Sequence, residues 1–598
     1  MSERRNRTRD VGLALSAAGI ALLIERAIKA ITRRSSTRPT PPIEPRPIAP
    51  PTPIVSPTPI ASTPQTGFNV TPLVRWWTDH RIEIGIVAGL IAFGIFLWLT
   101  SLPPDTSPPA HDALPFDYFL GARQWLMSLA PNAGPILIVL GTTVLGVIWA
   151  AALVRRRIRS AISASVLIVC CAAALYGQVL LMDDVIGPGT LLYLSAAALI
   201  LIWTIWQKAW RRRPAINVSR RVELALIAAV MAVTIFARIY DLKRTPYGLD
   251  GDEAIWTIEI VSAKVDQQNA LSSIYHFRNL PMSYWMETPF QWALGAGLTS
   301  GRVEVAIFSI IATFIFYLLM RELFDMPTAL VATVLLAVSL PDLSASRTAN
   351  IQAHFKIWSV LPLFGIAVAM RTRQIKHFFL TGLAMAGGLM TYESLIPICA
   401  ATTIFGVIYA LIDWLRHRSE WRAWVKRFAA MFVVAAPAGL LMLGYLNGRG
   451  QYYQAFRNAA QAIPLPELVP QGFEGVFRSF YQSPMHDALF SRNGPYINGL
   501  LVPLLALGIA LAIGTIKRRG SVLALLWLAW VFIPVPVFLP APLPRLYYAG
   551  LPALYIFIAL MLITIYRSVD DVIGQRMIML PIAALVLSGI VILNLTIW

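Results

Sequence analysis

Residues 134–181 read GPILIVLGTTVLGVIWAAALVRRRIRSAISASVLIVCCAAALYGQVLL: an apolar run, a basic knot at Arg155-Arg156-Arg157 and Arg159, and a second apolar run. Each run is about 20 residues long, the length an α-helix needs to cross a hydrocarbon core. A chain in lipid must satisfy its own backbone hydrogen bonds, so two such runs joined by a short basic loop read as a helical hairpin across a bilayer. The pattern recurs along the sequence. Spans read at 83–101, 134–153, 161–181, 188–206 and 222–240, then at 303–320, 327–340, 351–370, 377–391 and 395–412. Further spans read at 428–446, 498–516, 521–539, 546–566 and 577–597, which makes about fifteen. Of the 598 residues 57% are hydrophobic and only 14% charged, and a soluble chain is nearer a quarter charged. The sequence therefore predicts an all-α polytopic membrane protein.

The net charge of +19 invites a nucleic-acid reading, and the placement of the charge excludes it. Alternating the loops between the two sides puts 24 Lys and Arg into about 64 residues on one side. The other side holds about 12 in about 170 residues. Arg155-Arg156-Arg157, Arg211-Arg212-Arg213 and Lys517-Arg518-Arg519 all fall on the first side. Cytoplasmic loops carry such an excess, so that side is cytoplasmic, with the N-terminus. Cys170, Cys171 and Cys399 all lie within spans and read as small apolar residues, with no His or Cys spacing for a metal.

Four regions follow. Residues 1–37 form a basic segment around an apolar run at 12–24, too short to span and flanked by Arg on both sides, which suits a helix on the inner leaflet. No small-residue cleavage site of the Ala-x-Ala kind follows it. Residues 38–80 form a linker whose prolines, among them Pro41, Pro42, Pro45, Pro47, Pro50 and Pro51, favour an extended cytoplasmic tether. Residues 81–221 carry four spans, read as an accessory bundle, and 222–598 form the core. Two outer loops are long, 241–302 and 447–497, and function concentrates in such loops.

The first of these loops opens Arg238-Ile-Tyr-Asp-Leu-Lys-Arg-Thr-Pro246-Tyr-Gly-Leu-Asp250-Gly-Asp252-Glu253-Ala254. Three carboxylates within four residues repel one another, and burial beside a membrane raises their pKa values unless cations or donors compensate. A carboxylate of raised basicity in a cleft suits a general base that activates a hydroxyl. The residues alone leave two other readings open: a solvated loop kept out of the bilayer by its acids, and a divalent cation held by Asp250 and Asp252.

The surroundings of the motif resemble those of the GT-C class of integral-membrane glycosyltransferases, in the family of protein O-mannosyltransferases and lipid A aminoarabinose transferases. Arg238 stands near the end of a span, followed by Pro246 and by Asp252-Glu253-Ala254. Asn279-Leu-Pro281-Met-Ser-Tyr284-Trp285 and Gly301-Arg302 come next. Ser346-Arg347-Thr-Ala349, Gly387-Gly388-Leu-Met-Thr391-Tyr392 and Pro544-Arg545-Leu-Tyr547-Tyr548 complete the series. The resemblance covers 222–598 as eleven spans and implies a GT-C-like core with short helices in its first outer loop and four extra N-terminal spans. It further implies transfer of a sugar from a polyprenyl-phosphate donor to an acceptor hydroxyl on a protein, lipid or glycan, outside the cell membrane and with inversion. No metal or other cofactor is implied.

On that resemblance Asp252 is the expected base, Glu253 its positioning partner and Asp250 a third member. Arg238, Arg347, Lys356 and Arg545, with Tyr547 as a hydroxyl donor, are the expected contacts to the donor. Lys356 lies inside a span, where a charge must face a cavity or a partner unless it snorkels or marks a span edge. Arg545 also fits an interfacial anchor, and His276 and His354 read as structural. The chain departs from the aminoarabinose pattern: Arg278-Asn279-Leu280-Pro281 replaces a Glu-Lys-Pro stretch, and Thr391-Tyr392-Glu393 replaces a Thr-Lys pair. That argues against aminoarabinose as the sugar. Two other functions compete. A lipid-linked glycan ligase or polymerase would use Arg449, Arg457, Arg478 and Arg492 of the second long loop. A transporter or flippase would show internal repeats and more charge within its spans.

Overall fold

The computed structural model describes residues 133–155, 157–182, 186–207, 219–243, 252–258, 280–417, 421–448, 465–481, 496–534, 544–574 and 587–589, all within one compact unit, Thr71–Trp598. The surface helix expected at 12–24, the proline-rich linker and the span at 83–101 lie outside these residues, as does all of the 577–597 span except 587–589.

Every described regular element is helical. The first described helices are α1 (Ala133–Arg155), α2 (Ile158–Met182) and α3 (Ile186–Gln207). There follow α4 (Arg220–Ile239), α5 (252–258), α6 (Pro281–Leu294), α7 (Leu298–Leu323), α8 (Met326–Ala337) and α9 (Leu340–Ala345). The chain continues with α10 (Phe355–Thr372), α11 (Ile375–Leu389), α12 (Ile396–Arg416), α13 (Trp421–Gly448) and α14 (Leu465–Tyr481). The described part closes with α15 (Val502–Gly514), α16 (Arg519–Phe532) and α17 (Leu551–Ile573). Eight helices are long and apolar enough to cross a membrane and five more are apolar but shorter; together they fall on thirteen of the expected spans. The short helices expected in the first outer loop are α5 and α6.

Local chemistry sets the helix starts. Pro281, Pro327, Pro341, Pro397, Pro503 and Pro552 each sit in the first turn of their helix, where the missing amide costs nothing. Asp325 caps α8 by accepting from the Thr328 amide at 3.3 Å. Gly574, at φ +61°, ends α17 in a left-handed turn that a side chain would strain.

At the centre stand α17 and α10, the most enclosed of the long apolar helices. Helices pack closely in lipid where small residues let backbones approach. Gly508 of α15 lies against the Phe557 carbonyl of α17, and Gly382 of α11 lies against the Met431 carbonyl of α13, so neither has room for a Cβ. The N-terminal helices share this core: Leu167, Cys170, Tyr193 and Trp203 pack with Leu507, Leu511 and Met561 of α15 and α17. The outward faces are apolar as well, with Phe236, Leu415, Val433, Leu440 and Leu443 exposed. In water such a belt is a liability; against lipid it is the protein's ordinary surface. All three cysteines are free thiols.

Candidate active site

Helix α5 divides the acidic motif. Successive residues of a helix point about 100° apart, so neighbours face different ways and residues three apart share a face. Asp252 is exposed, whereas Glu253 and Trp256 are buried. Glu253 is held from two directions. Arg302 of α7 donates to it through Nε and Nη2, each at 2.9 Å, and the Ala349 amide donates at 2.7 Å. This bidentate pair ties α5 to α7 and to the segment before α10. Trp256 packs on Tyr284 with ring centroids 4.8 Å apart and donates to Glu287 at 2.8 Å. Asp250 lies outside the described residues, and so does the reading in which it shares a cation with Asp252.

A second network centres on Asp342, a residue that sequence reasoning did not single out. Arg238, at the end of α4, donates to its Oδ2. Lys356 of α10 donates to both oxygens at 2.8 and 2.7 Å, and Tyr548 donates to Oδ1 at 2.7 Å. Ser309 of α7 accepts from both cations, at 2.9 Å from Arg238 and 2.8 Å from Lys356. Arg238, Asp342 and Lys356 are all buried. Burial opposes ionisation of Asp342, but Lys356 and Arg238 outweigh it and hold the carboxyl below its ordinary range. Two basic side chains thus share one carboxylate.

The remaining expected donor contacts lie close by. Arg347 is buried and donates to the carbonyls of Ala237 and Tyr240 at 2.8 and 2.6 Å, so its charge sits on the carbonyl end of α4. Tyr547 is buried, its hydroxyl 2.6 Å from that of Ser479 in α14. Arg545 belongs to the 3-10 turn Pro544–Gly550, three residues before Tyr548, and its side chain lies outside the described residues. The structure thus joins Arg238 and Lys356 on one carboxylate and sets Arg347 beside Arg238. It separates Asp252 from Glu253.

A third cluster was also missed. Glu287 of α6 accepts from Trp256 and, at 2.7 Å, from Gln291. Glu304 of α7 pairs with His354 at 2.8 Å, which gives that histidine a structural partner. Burial, reinforced by the Glu304 charge, pushes the Glu287 carboxyl up to about 7. The folded protein therefore keeps this proton to about pH 7, whereas an unfolded chain loses it near 4.5, the ordinary value for a glutamate. Between those values the folded state binds more protons, so the contribution is full below pH 4.5 and is lost as pH rises through 7. The loss is on the order of 3 kcal/mol. Thermal melts of the detergent-purified protein from pH 4.5 to 8 are expected to show that decline, and Glu287→Gln is expected to flatten it. An unchanged slope in the variant would assign the decline to other groups. Among the described residues no cluster of three or more His, Cys, Asp or Glu is arranged for a metal ion.

Comparison with known proteins bears on the central part of the chain. Residues 279–440 match the model of the family described as dolichyl-phosphate-mannose-protein mannosyltransferase. The match includes Arg302, Asp342, Arg347 and Lys356 and leaves Arg238, Asp252, Glu253 and Arg545 outside it. None of the curated proteins matches the chain. Among solved structures, the archaeal oligosaccharyltransferase AglB from Archaeoglobus fulgidus, in complex with an inhibitory peptide and a dolichol-phosphate, aligns at 14% identity and a TM-score of 0.39. That alignment covers 62% of this chain and 55% of AglB, so the chain spans little more than half the length of that protein. ArnT from Cupriavidus metallidurans bound to undecaprenyl phosphate aligns at 12% identity and a TM-score of 0.38, over 63% of this chain and 77% of ArnT. Over residues 279–440, which supply Arg302, Asp342 and Lys356 to these networks, the chain is similar to the membrane glycosyltransferases of the dolichyl-phosphate-mannose-protein mannosyltransferase family.

Proposed function

We propose that this protein is a membrane glycosyltransferase that moves a sugar from a polyprenyl-phosphate carrier to an acceptor hydroxyl. The transfer takes place on the extracytoplasmic face and inverts the anomeric carbon. The observation that carries this reading is the division within the acidic motif: Glu253 is spent on Arg302 and Ala349, while Asp252 beside it faces outward. A base has to reach its substrate's proton, and a rigid neighbour keeps it in place. The family match over residues 279–440 supports the donor class, a lipid-phosphate sugar.

In the proposed step the Asp252 carboxylate takes the proton of the acceptor hydroxyl as its oxygen bonds to the anomeric carbon. The bond from that carbon to the phosphate oxygen breaks, and its electron pair leaves with the lipid phosphate. That phosphate gains negative charge, so fixed positive charge nearby lowers the barrier. Arg238, Lys356 and Arg347 supply the field from within the protein. Arg545 is the proposed direct contact, because its turn reaches the Asp342 network through Tyr548, and Tyr547 braces that turn against α14. Loop charge supports the extracytoplasmic face: in the sequence the acidic motif opens a loop on the side opposite the basic loops.

The test is incubation of the purified, reconstituted protein with a panel of polyprenyl-phosphate sugars and mixed protein, lipid and glycan acceptors, following free polyprenyl phosphate. Release with at least one donor, dependent on acceptor, is the expected result. Movement of donor across the bilayer without release would replace the transferase with a flippase.

A further inference from the structure

At the opposite end of the bundle from α5 lies a cavity of about 700 Å³ between α10, α12, α13 and α16. Helix α10 runs 18 residues from the Lys356 end to Thr372, so the two sites are separated by roughly 27 Å, the thickness of a hydrocarbon core. The inner wall is apolar: Met370, Ile408, Ile412, Leu525, Leu526 and Ala529 line it. The rim is basic, with Arg373, Arg416, Lys517 and Arg519 set against the single carboxylate of Asp413. Four cations and one acid leave a surplus of three positive charges.

The rim is built rather than loose. Arg373 donates to Asp413 at 2.7 Å, and the Trp424 indole donates to the same carboxylate at 3.1 Å. Arg427 lies over the Trp424 ring at 4.6 Å and donates to the Arg373 carbonyl at 2.8 Å. Arg519 lies over the Tyr409 ring at 5.4 Å. Asp413 is thereby engaged by Arg373 and Trp424, while Arg416 and Lys517 are exposed beside it. Aromatic rings and basic side chains at one level mark a membrane interface, and the loop-charge count makes this the cytoplasmic one.

We propose that this cavity binds one anionic glycerophospholipid of the cytoplasmic leaflet, its phosphate against Arg416, Lys517 and Arg519 and an acyl chain along α12 and α16. The charge surplus selects an anionic headgroup, and the apolar wall selects a ligand with a hydrocarbon tail, which a nucleotide or a free phosphate lacks. The site is distinct from the sugar-transfer site and does not depend on that activity.

Binding is tested on the full chain in neutral detergent, using native mass spectrometry and thermal melts with added phosphatidylglycerol. Phosphatidylcholine of the same chains, glycerol phosphate and inorganic phosphate serve as comparisons. Phosphatidylglycerol is expected to bind and to raise the melting temperature by about 5 °C, with no rise from the other three. The triple variant Arg416→Gln, Lys517→Gln, Arg519→Gln is expected to weaken binding at least about tenfold. Leu526→Trp, which fills the apolar wall and keeps every charge, is expected to weaken it as well and carries the test if the triple variant does not fold. An equal rise with phosphatidylcholine would make the contact non-selective and overturn the proposal. An equal rise with glycerol phosphate or inorganic phosphate would make it a free-anion site and overturn it too. Wild-type binding by both variants would place the lipid elsewhere.

Discussion

Asp342→Asn is expected to cost about 3–5 kcal/mol of stability, the toll of breaking a buried ion pair from one side. Asp342 neutralises Arg238 and Lys356 at once, and Tyr548 also donates to it. With the carboxylate gone, two cations stay buried on one amide, and the three segments they join lose their common anchor. The loss should be partly repaired in Asp342→Asn combined with Lys356→Met, because one of the stranded charges is removed with its partner. Residues in one network are not additive, so the double variant is expected to be more stable than the single Asp342→Asn. Thermal melts of the four proteins in detergent measure this directly. A double variant as destabilised as the sum of its parts would mean that Lys356 and Asp342 act independently.

Glu253→Gln is the second large effect. Arg302 is buried and donates twice to Glu253, so the substitution leaves a guanidinium without its counter-charge and again costs about 3–5 kcal/mol. The damage should be local first. Glu253 joins α5 to α7 and Ala349, and α5 carries Asp252 and Trp256. Amide hydrogen exchange across 252–258 is therefore expected to rise in the variant while α10 and α17 stay protected. Adding Arg302→Met should restore part of the stability but not the position of α5. Unchanged exchange across 252–258 would show that Glu253 does not hold this helix.

The fold was legible because its signals are local. Apolar run length and loop charge belong to short stretches, and thirteen apolar helices fall on the spans they predicted. Their ends were set by prolines and caps that can be seen in a single turn, such as Pro327 behind Asp325. The site was legible in part. A lysine inside a span demanded a partner, and Lys356 has one, but nothing within a window of sequence named Asp342 as that partner. Arg238 and Asp342 are 104 residues apart, and only the fold brings the end of α4 to α9. Glu287 and Glu304 escaped notice for the same reason, since one looks like an isolated acid in the outer loop and the other like an isolated acid at the start of a span.

The acidic motif shows what secondary structure adds. Read as a string, Asp252 and Glu253 are equivalent neighbours. Once 252–258 is a helix, Trp256 lies three residues from Glu253 and marks the buried face, so Asp252 is turned outward.

Donor turnover by wild type and by Asp252→Asn, compared at equal folded fraction, tests that assignment most directly. Comparison at equal folded fraction separates any change in stability from loss of the base. Release of polyprenyl phosphate from the best donor of the panel should fall by about 10²–10⁴-fold, the contribution of a general base. Equal turnover by the two proteins, with the melts unchanged, would contradict the account and move the chemistry away from Asp252.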